Sequence, residues 1–514
     1  MTTTDVQIAI IGAGFSGLGA AIKLKQNGFD DFVILDRGAD FGGTWRDNTY
    51  PGAACDVPSR LYSFSFAQNP HWSRTYSHQP EIHRYINDVA EQHDVRANTR
   101  FGTEVLEARW DEAGRHWVLT TQRTNTPDTT TDEVHAAILL GAVGPLCEPN
   151  LPDIKGFSDY HGKIIHSARW DDAYDFAGKK VAVIGTGASA IQLVPELAKI
   201  VDRLDVYQRT APWIVPRTER PYSGAEQWAF EHVPGFQSAM RGVVYGLNEA
   251  TAFGLTYSPK ALKPVEMICR ANVARGIRDA GLRKKVTPTF QVGCKRILRS
   301  NDWYPAIARP NVDLVTDGIE EITASGVRTA DGTERDVDVI VVATGFHVTD
   351  SPVFGKIIGD DGRSLAEVWD EIGMQGYKGS FINGFPNMML MIGPSTGLGH
   401  TSMVYMIESQ LNYLVDYLKT IRAQGITRTE VKLDAQRDYN TAIAHNLRNS
   451  VWVNGGCASW YKDNHGNITT LWPGFTFNFR KITRKFDVAA YDVERGTCPV
   501  RPADAAVQNA SVTA

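Results

Sequence analysis

Two glycine-rich turns carry much of the chemistry legible in this sequence. The first is Gly12-Ala13-Gly14-Phe15-Ser16-Gly17 and the second is Gly185-Thr186-Gly187-Ala188-Ser189-Ala190. Both fit G-x-G-x-x-G/A. The first glycine permits a tight turn, the second lets a pyrophosphate approach, and the third, or its alanine substitute, allows close helix-on-strand packing. Phosphates would then meet free N–H groups at a helix N-terminus. The residue 24 positions beyond the first glycine is Asp36 in one case and Arg209 in the other. That position meets the adenosine ribose. A carboxylate there, with Arg37 beside it, accepts from both ribose hydroxyls and repels a 2′-phosphate. An arginine there welcomes the 2′-phosphate, and Thr210 adds a hydroxyl donor. The first turn therefore suits FAD or NAD, and the second suits NADP(H).

Such turns work only between a strand and a helix. Val6–Ile11 is apolar and β-branched and runs straight into Gly12, which predicts a buried strand. A helix is expected over Leu18–Gln26 and a second strand over Phe32–Leu35. The same order returns as strand Lys179–Ile184, helix Ile191–Ile200 and strand Leu204–Gln208. Each unit has a closing strand. Ala137–Leu140 leads into Gly141-Ala142-Val143-Gly144, and Val337–Val342 into Ala343-Thr344-Gly345. Between them lies an insertion, about Arg217–Val286, whose composition predicts helices. A long helix is expected over Ser402–Ala423, and loops with short strands over Trp452–Phe479. The substrate pocket is expected to draw on that stretch and on the insertion.

A length of 514 residues calls for two or three domains. A net charge of −5 excludes a nucleic-acid footprint. Cys55, Cys147, Cys269, Cys294, Cys457 and Cys498 form no C-x-x-C. That pattern predicts no metal and no redox-active dithiol, and fits reduced thiols in a cytoplasmic protein. The N-terminus lacks a signal layout. No apolar run reaches the roughly 18 residues of a span, so no membrane partner is expected. A mobile tail is expected from about residue 500.

Two longer segments narrow the class. Tyr160-His161-Gly162-Lys163-Ile164-Ile165-His166-Ser167-Ala168-Arg169-Trp170-Asp171 resembles the Baeyer–Villiger monooxygenase fingerprint F-x-G-x-x-x-H-x-x-x-W-P/D, with Tyr160 for Phe as its one departure. Gly42-Gly43-Thr44-Trp45 through Tyr50-Pro51-Gly52 to Asp56 resembles that family's second fingerprint at every defined position. The resemblance covers most of the chain and is thinnest across the insertion. It implies an α/β fold of two Rossmann-like, three-layer dinucleotide-binding domains, with the NADP domain nested in the FAD domain. The boundaries would be 1–150 and 351–514 for FAD, 151–216 and 287–350 for NADP, and 217–286 for the helical insertion. It also implies the reaction. NADPH reduces FAD, O2 adds to give a C4a-peroxyflavin, and the peroxide attacks a ketone to yield an ester or lactone, with sulfides as further substrates.

On that resemblance Arg296 is the cation that stabilises the anionic oxygen species, and Asp56 holds it in place. Lys295 helps Arg209 with the 2′-phosphate. Gly43, Thr44 and Trp45 lie near the flavin, and Ala343-Thr344-Gly345 closes the NADP site. Trp460 belongs to a loop that folds over NADP. The Gly393–Thr401 segment offers helix N-terminal amides to the flavin ring. The chemistry needs no side-chain base, so His166, with Gly162, Trp170 and Asp171, is assigned to the domain junction. The nearest rival is an N- or S-oxygenating flavin monooxygenase working through a C4a-hydroperoxyflavin, disfavoured by the Trp170-Asp171 ending and by Arg296. A disulfide reductase needs a cysteine pair beside the flavin that the sequence does not offer.

Overall fold

The computed structural model describes residues 2–127, 129–497 and 500; the expected tail lies almost wholly outside them. The first strand is Thr3–Ile11. It pairs in parallel with Phe32–Leu35 on one side and with the closing strand Thr131–Gly141 on the other. The helix after the first turn spans Phe15–Lys25, three residues earlier than its composition suggests, because Gly14 is its N-cap and the turn itself supplies the first helical residues. Gly12 has φ +105°, and a Cβ there would sit 2.6 Å from the Ala142 carbonyl oxygen. Gly185 repeats the arrangement, with φ +117° and a Cβ position 2.4 Å from the Ala343 oxygen. In both units the closing strand therefore passes so near the turn that only glycine fits.

The first sheet grows to eight strands. Beyond the closing strand lies an antiparallel meander, His116–Arg123 and Thr103–Asp111, which no motif in the sequence announces. Ile357–Ile358 and Met388–Leu390 return to this sheet from much later in the chain. The second sheet has five strands, all parallel, in the order Val312–Val315, Arg203–Tyr207, Lys180–Ile184, Val339–Val342, Lys163–His166. Beyond Lys180 its central strands are buried: one face packs on the helices Ala190–Leu197 and Trp303–Ile307, the other on the antiparallel strands Ile319–Ile322 and Gly326–Thr329. Every strand of this sheet falls between the closing strand of the first and the segments that come back to it.

The insertion is helical as its composition predicts, with helices Gly224–His232, Phe236–Ala252, Lys263–Gly276 and Ala280–Val286. The long C-terminal helix is Met403–Gln424, and it packs on Phe15–Lys25 so closely that a Cβ on Gly19 would meet Leu411 at 2.9 Å. The expectation of short strands across 452–479 is corrected. Helices Val451–Asn454 and Thr476–Ile482 bound that stretch, and only isolated bridges, such as Gly397 with Leu471, lie between them. Among the described residues no helix is long and apolar enough to cross a membrane.

Candidate active site

A cavity of about 1380 Å³ runs between the two sheets. That exceeds the volume of an ordinary single-ligand pocket, so it has room for more than one bound molecule. Both glycine turns line it, as do Asp36, Arg209, the second fingerprint, Lys295-Arg296, Ala343–Gly345 and Ala458–Trp460. The N-terminal end of the Met403–Gln424 helix faces it through Leu398, Thr401, Met403 and Val404. No described residue of 217–286 lines it, so the expectation that the insertion supplies pocket walls is corrected.

Asp36 is 93% buried at the end of its strand. Its carboxylate accepts from the Ala13 and Gly38 amides, each at 2.7 Å, and from Arg46 at 2.8 Å. A carboxylate has about four acceptor positions, so one remains open. Arg46 holds the outer face of the group, a role no spacing rule predicts. Arg37 is tied to Glu148 at 2.6 Å and to the Cys147 carbonyl. Phe15 packs edge-on against Tyr62 and Phe64, and Trp45 donates its indole N–H to the Tyr62 hydroxyl at 3.0 Å. Gly17 lies behind the turn, against the Gly12 carbonyl, where it sets helix packing.

At the second turn the Thr186 hydroxyl donates to the Thr210 carbonyl at 3.0 Å, joining the turn to the end of the second strand. Arg209 stands exposed there at the cavity edge. Burial first, and then the charge of Arg209, hold the Lys295 ammonium below its ordinary pKa. Two cations brought together at a cavity edge suit a shared anion.

The second fingerprint bridges the two units. Gly43 touches Gly14 at one end, with a would-be Cβ 3.2 Å from the Gly14 Cα. At the other end the Tyr50 hydroxyl donates to Gln192 at 2.9 Å, and Gln192 donates back to the Ala54 carbonyl at 2.9 Å. Gln192 lies on the helix Ala190–Leu197 of the second unit. The bridge ends on Asp56, whose two oxygens accept from Arg296 Nε and Nη2, both at 2.7 Å. Arg296 Nη1 donates to the Leu398 carbonyl at 3.2 Å. Burial raises the Asp56 carboxyl, but the Arg296 charge and hydrogen bonds, with Arg299 and Arg217 behind them, outweigh it and hold it below the usual range. The Asp56 charge in turn raises the Arg296 guanidinium.

The first fingerprint does not line the cavity. His166 ends the edge strand Lys163–His166; its Nδ1 accepts from the Ala168 amide at 3.0 Å and its ring lies edge-on to Phe346. Burial drops its pKa to about 4, opposed by the Gly345 backbone and helped by Arg169, so the ring is neutral at pH 7. Gly162 leaves room for Tyr160, whose hydroxyl donates to the Val337 carbonyl at 2.8 Å; that bond is what tyrosine adds over phenylalanine. Trp170 stacks on Phe176, and Asp171 pairs with Lys163, both inside the second unit. Contacts that cross between units here are Arg169 to the Cys147 carbonyl and, next to the fingerprint, Thr49 to Asp172.

The expectation of six free thiols is corrected by a disulfide, Cys294–Cys457. The two are 163 residues apart, too far for any sequence motif. The bond ties the Lys295-Arg296 turn to the loop that carries Trp460. Trp460 itself is half exposed and lines the cavity beside Ala458 and Ser459. Cys55, Cys147 and Cys269 are free, and no cluster of metal-ligating side chains occurs among the described residues.

Comparison with known proteins agrees with this geometry. The family model for pyridine nucleotide-disulphide oxidoreductases matches residues 9–225. A Baeyer–Villiger monooxygenase of Streptomyces coelicolor is 47% identical over 503 residues, covering 98% of this chain and 94% of that protein. The NADP+-bound cyclohexanone monooxygenase of Rhodococcus sp. Phi1 superposes with a TM-score of 0.84 at 27% identity, over 96% of this chain and 100% of that one. The OTEMO complex with FAD and NADP gives 0.83 at 25% identity, over 95% and 99%.

Proposed function

The chain belongs to the Baeyer–Villiger monooxygenase family, and from that premise we propose which of its residues run the reaction. It is an FAD- and NADPH-dependent enzyme that inserts one atom of O2 beside a ketone carbonyl to give an ester or lactone. Bound FAD, reduced by NADPH, supplies the activated oxygen. The first turn, with Asp36 and the amides at the start of Phe15–Lys25, holds FAD. The second turn holds NADPH, with Arg209 and Lys295 on its 2′-phosphate. The domain division is 1–150 with 351–514, 151–216 with 287–350, and the insertion 217–286. The nesting of one sheet's strands within the other's supports it.

Arg296 carries the oxygen-transfer step. A guanidinium has five N–H donors. Three are spent on Asp56 and Leu398, and that fork fixes the group in orientation. The other two remain for negative charge that develops in the cavity. Because the cation is fixed beforehand, little reorganisation is needed when that charge appears. The fork is the observation on which this assignment rests.

His166 is a positioning residue. It is neutral, lies outside the cavity, and braces the Gly345-Phe346 turn. The loop of Trp460 closes over NADP and keeps water out. The substrate is an apolar ketone, with sulfides also oxidised; Leu398, Met403, Val404 and Ile407 in the cavity wall support an apolar partner. Dependence on NADPH supports a cytoplasmic location.

The test is a panel of linear, cyclic and aromatic ketones assayed with the purified enzyme. A yellow protein whose NADPH and O2 consumption rises with a ketone, with ester or lactone as product, is the expected result. A colourless protein, or NADPH consumption that no ketone stimulates, contradicts the reading.

A further inference from the structure

The helices of 217–286 turn an unusual face outward. On Phe236–Ala252 the buried side chains include the charged ones, Arg241 and Glu249. Arg241 donates to the Arg60 carbonyl and the Ser63 hydroxyl, and Glu249 accepts from the Thr476 hydroxyl at 2.8 Å and from its backbone amide. The opposite face of that helix is exposed and uncharged from Ala239 to Ala250. Its large side chains are Val243 and Leu247, the latter 72% exposed. Further along the chain Phe253 and Tyr257, and then Met267, 65% exposed, and Ile268, are exposed as well. Half of the exposed large hydrophobic residues among those described lie in this insertion, under a seventh of the chain. That concentration marks an interaction surface.

Charge identifies the partner. Over 260–278 there are five basic residues, Lys260, Lys263, Arg270, Arg275 and Arg278, all exposed. The one acidic residue, Glu266, is paired with Arg270 at 2.8 Å. The chain as a whole is net −5, so this basic stretch stands against its background. We propose that the insertion is a docking surface for an anionic phospholipid bilayer. The exposed apolar side chains enter the boundary between headgroups and acyl chains, and the lysines and arginines pair with lipid phosphates. A second copy of the chain fits less well, because a two-fold contact would set the same cations against each other. Docking of this kind needs no spanning helix. It also uses no residue of the cavity wall, since none of 217–286 lines the cavity.

The test uses the full-length, FAD-loaded enzyme and vesicles floated on a density gradient. The enzyme should float with vesicles containing phosphatidylglycerol and stay behind with phosphatidylcholine alone. About 1 M salt should release it, since the Debye length is then about 3 Å. Lys260→Glu and Lys263→Glu should each weaken binding by about fivefold or more. Leu247→Asp and Met267→Asp should abolish flotation, while ketone-dependent NADPH oxidation without vesicles is unchanged. The proposal is overturned if the wild type stays out of phosphatidylglycerol vesicles, or if Leu247→Asp floats as well as wild type. It is equally overturned if light scattering shows a dimer that Leu247→Asp splits.

Discussion

Replacing Arg209 with alanine should cost the enzyme its preference for NADPH, and the size of the loss follows from the site. A charge-assisted hydrogen bond to phosphate contributes about 1.5–3 kcal/mol when shielded, and an exposed ion pair up to about 1. Arg209 is exposed at the cavity edge, while Lys295 beside it is partly buried. Arg209 should therefore contribute about 1–2 kcal/mol, a loss of about five- to thirtyfold in kcat/KM for NADPH. NADH has no 2′-phosphate, so its kcat/KM should change by less than about twofold. Lys295→Ala acts on the same phosphate, so the double variant should fall short of the product of the single losses. Initial rates with each coenzyme, at low and high salt, give the answer, and the wild-type preference should shrink as salt screens the pair. Equal losses for NADPH and NADH would refute the assignment and leave Arg209 a solvated surface charge.

The remaining expectations are briefer. His166 titrates near pH 4 in the folded chain against 6.5 unfolded, so between those values the unfolded chain binds the extra proton and stability falls as pH drops. The loss should reach about 2–3 kcal/mol by pH 4, and His166→Gln should flatten it; an unchanged pH slope in thermal melts contradicts the buried neutral ring. Denatured without reductant, the chain should show no more than four reactive thiols of its six cysteines, and Cys457→Ser should lower stability by about 2–5 kcal/mol; six thiols, or an unchanged Tm, count against the bridge. A Cβ on Gly17 would lie 1.9 Å from the Gly12 carbonyl oxygen, so Gly17→Ala should yield a protein that does not retain FAD; a flavin absorbance ratio equal to wild type argues against the packing described.

What the sequence disclosed depended on how local the cause was. The glycine turns were legible because turn, strand and helix are fixed within a few residues, and Phe32–Leu35 falls where its β-branched run predicts. The same count leads to Asp36 and Arg209, and the structure puts both on the cavity wall. Arg46 was missed, since its reach back to Asp36 depends on a turn rather than on a spacing. The meander of Thr103–Arg123 was missed because its burial alternates while its residue types do not: in His116–Arg123 apolar Val118 lies on the outer face and polar Thr121 on the buried one. Cys294–Cys457 has no local signal at all. The helix Phe236–Ala252 shows why periodicity alone misleads. It reveals two unlike faces, but which one turns inward is set by partners such as Ser63 and Thr476, far away in sequence.

The most direct test of the central claim is Arg296→Ala studied in two halves. Anaerobic stopped-flow follows flavin reduction by NADPH, and product analysis in air follows ester formation. On the proposed assignment, Arg296, held by its fork to Asp56, acts in oxygen transfer and not in flavin reduction. Reduction should therefore proceed within a few-fold of wild type while ester formation falls by about 10²–10³, the loss expected for removing one preorganised stabilising group. Ester formed at the normal rate by Arg296→Ala, or flavin reduction lost to the same degree as ester formation, would contradict the account.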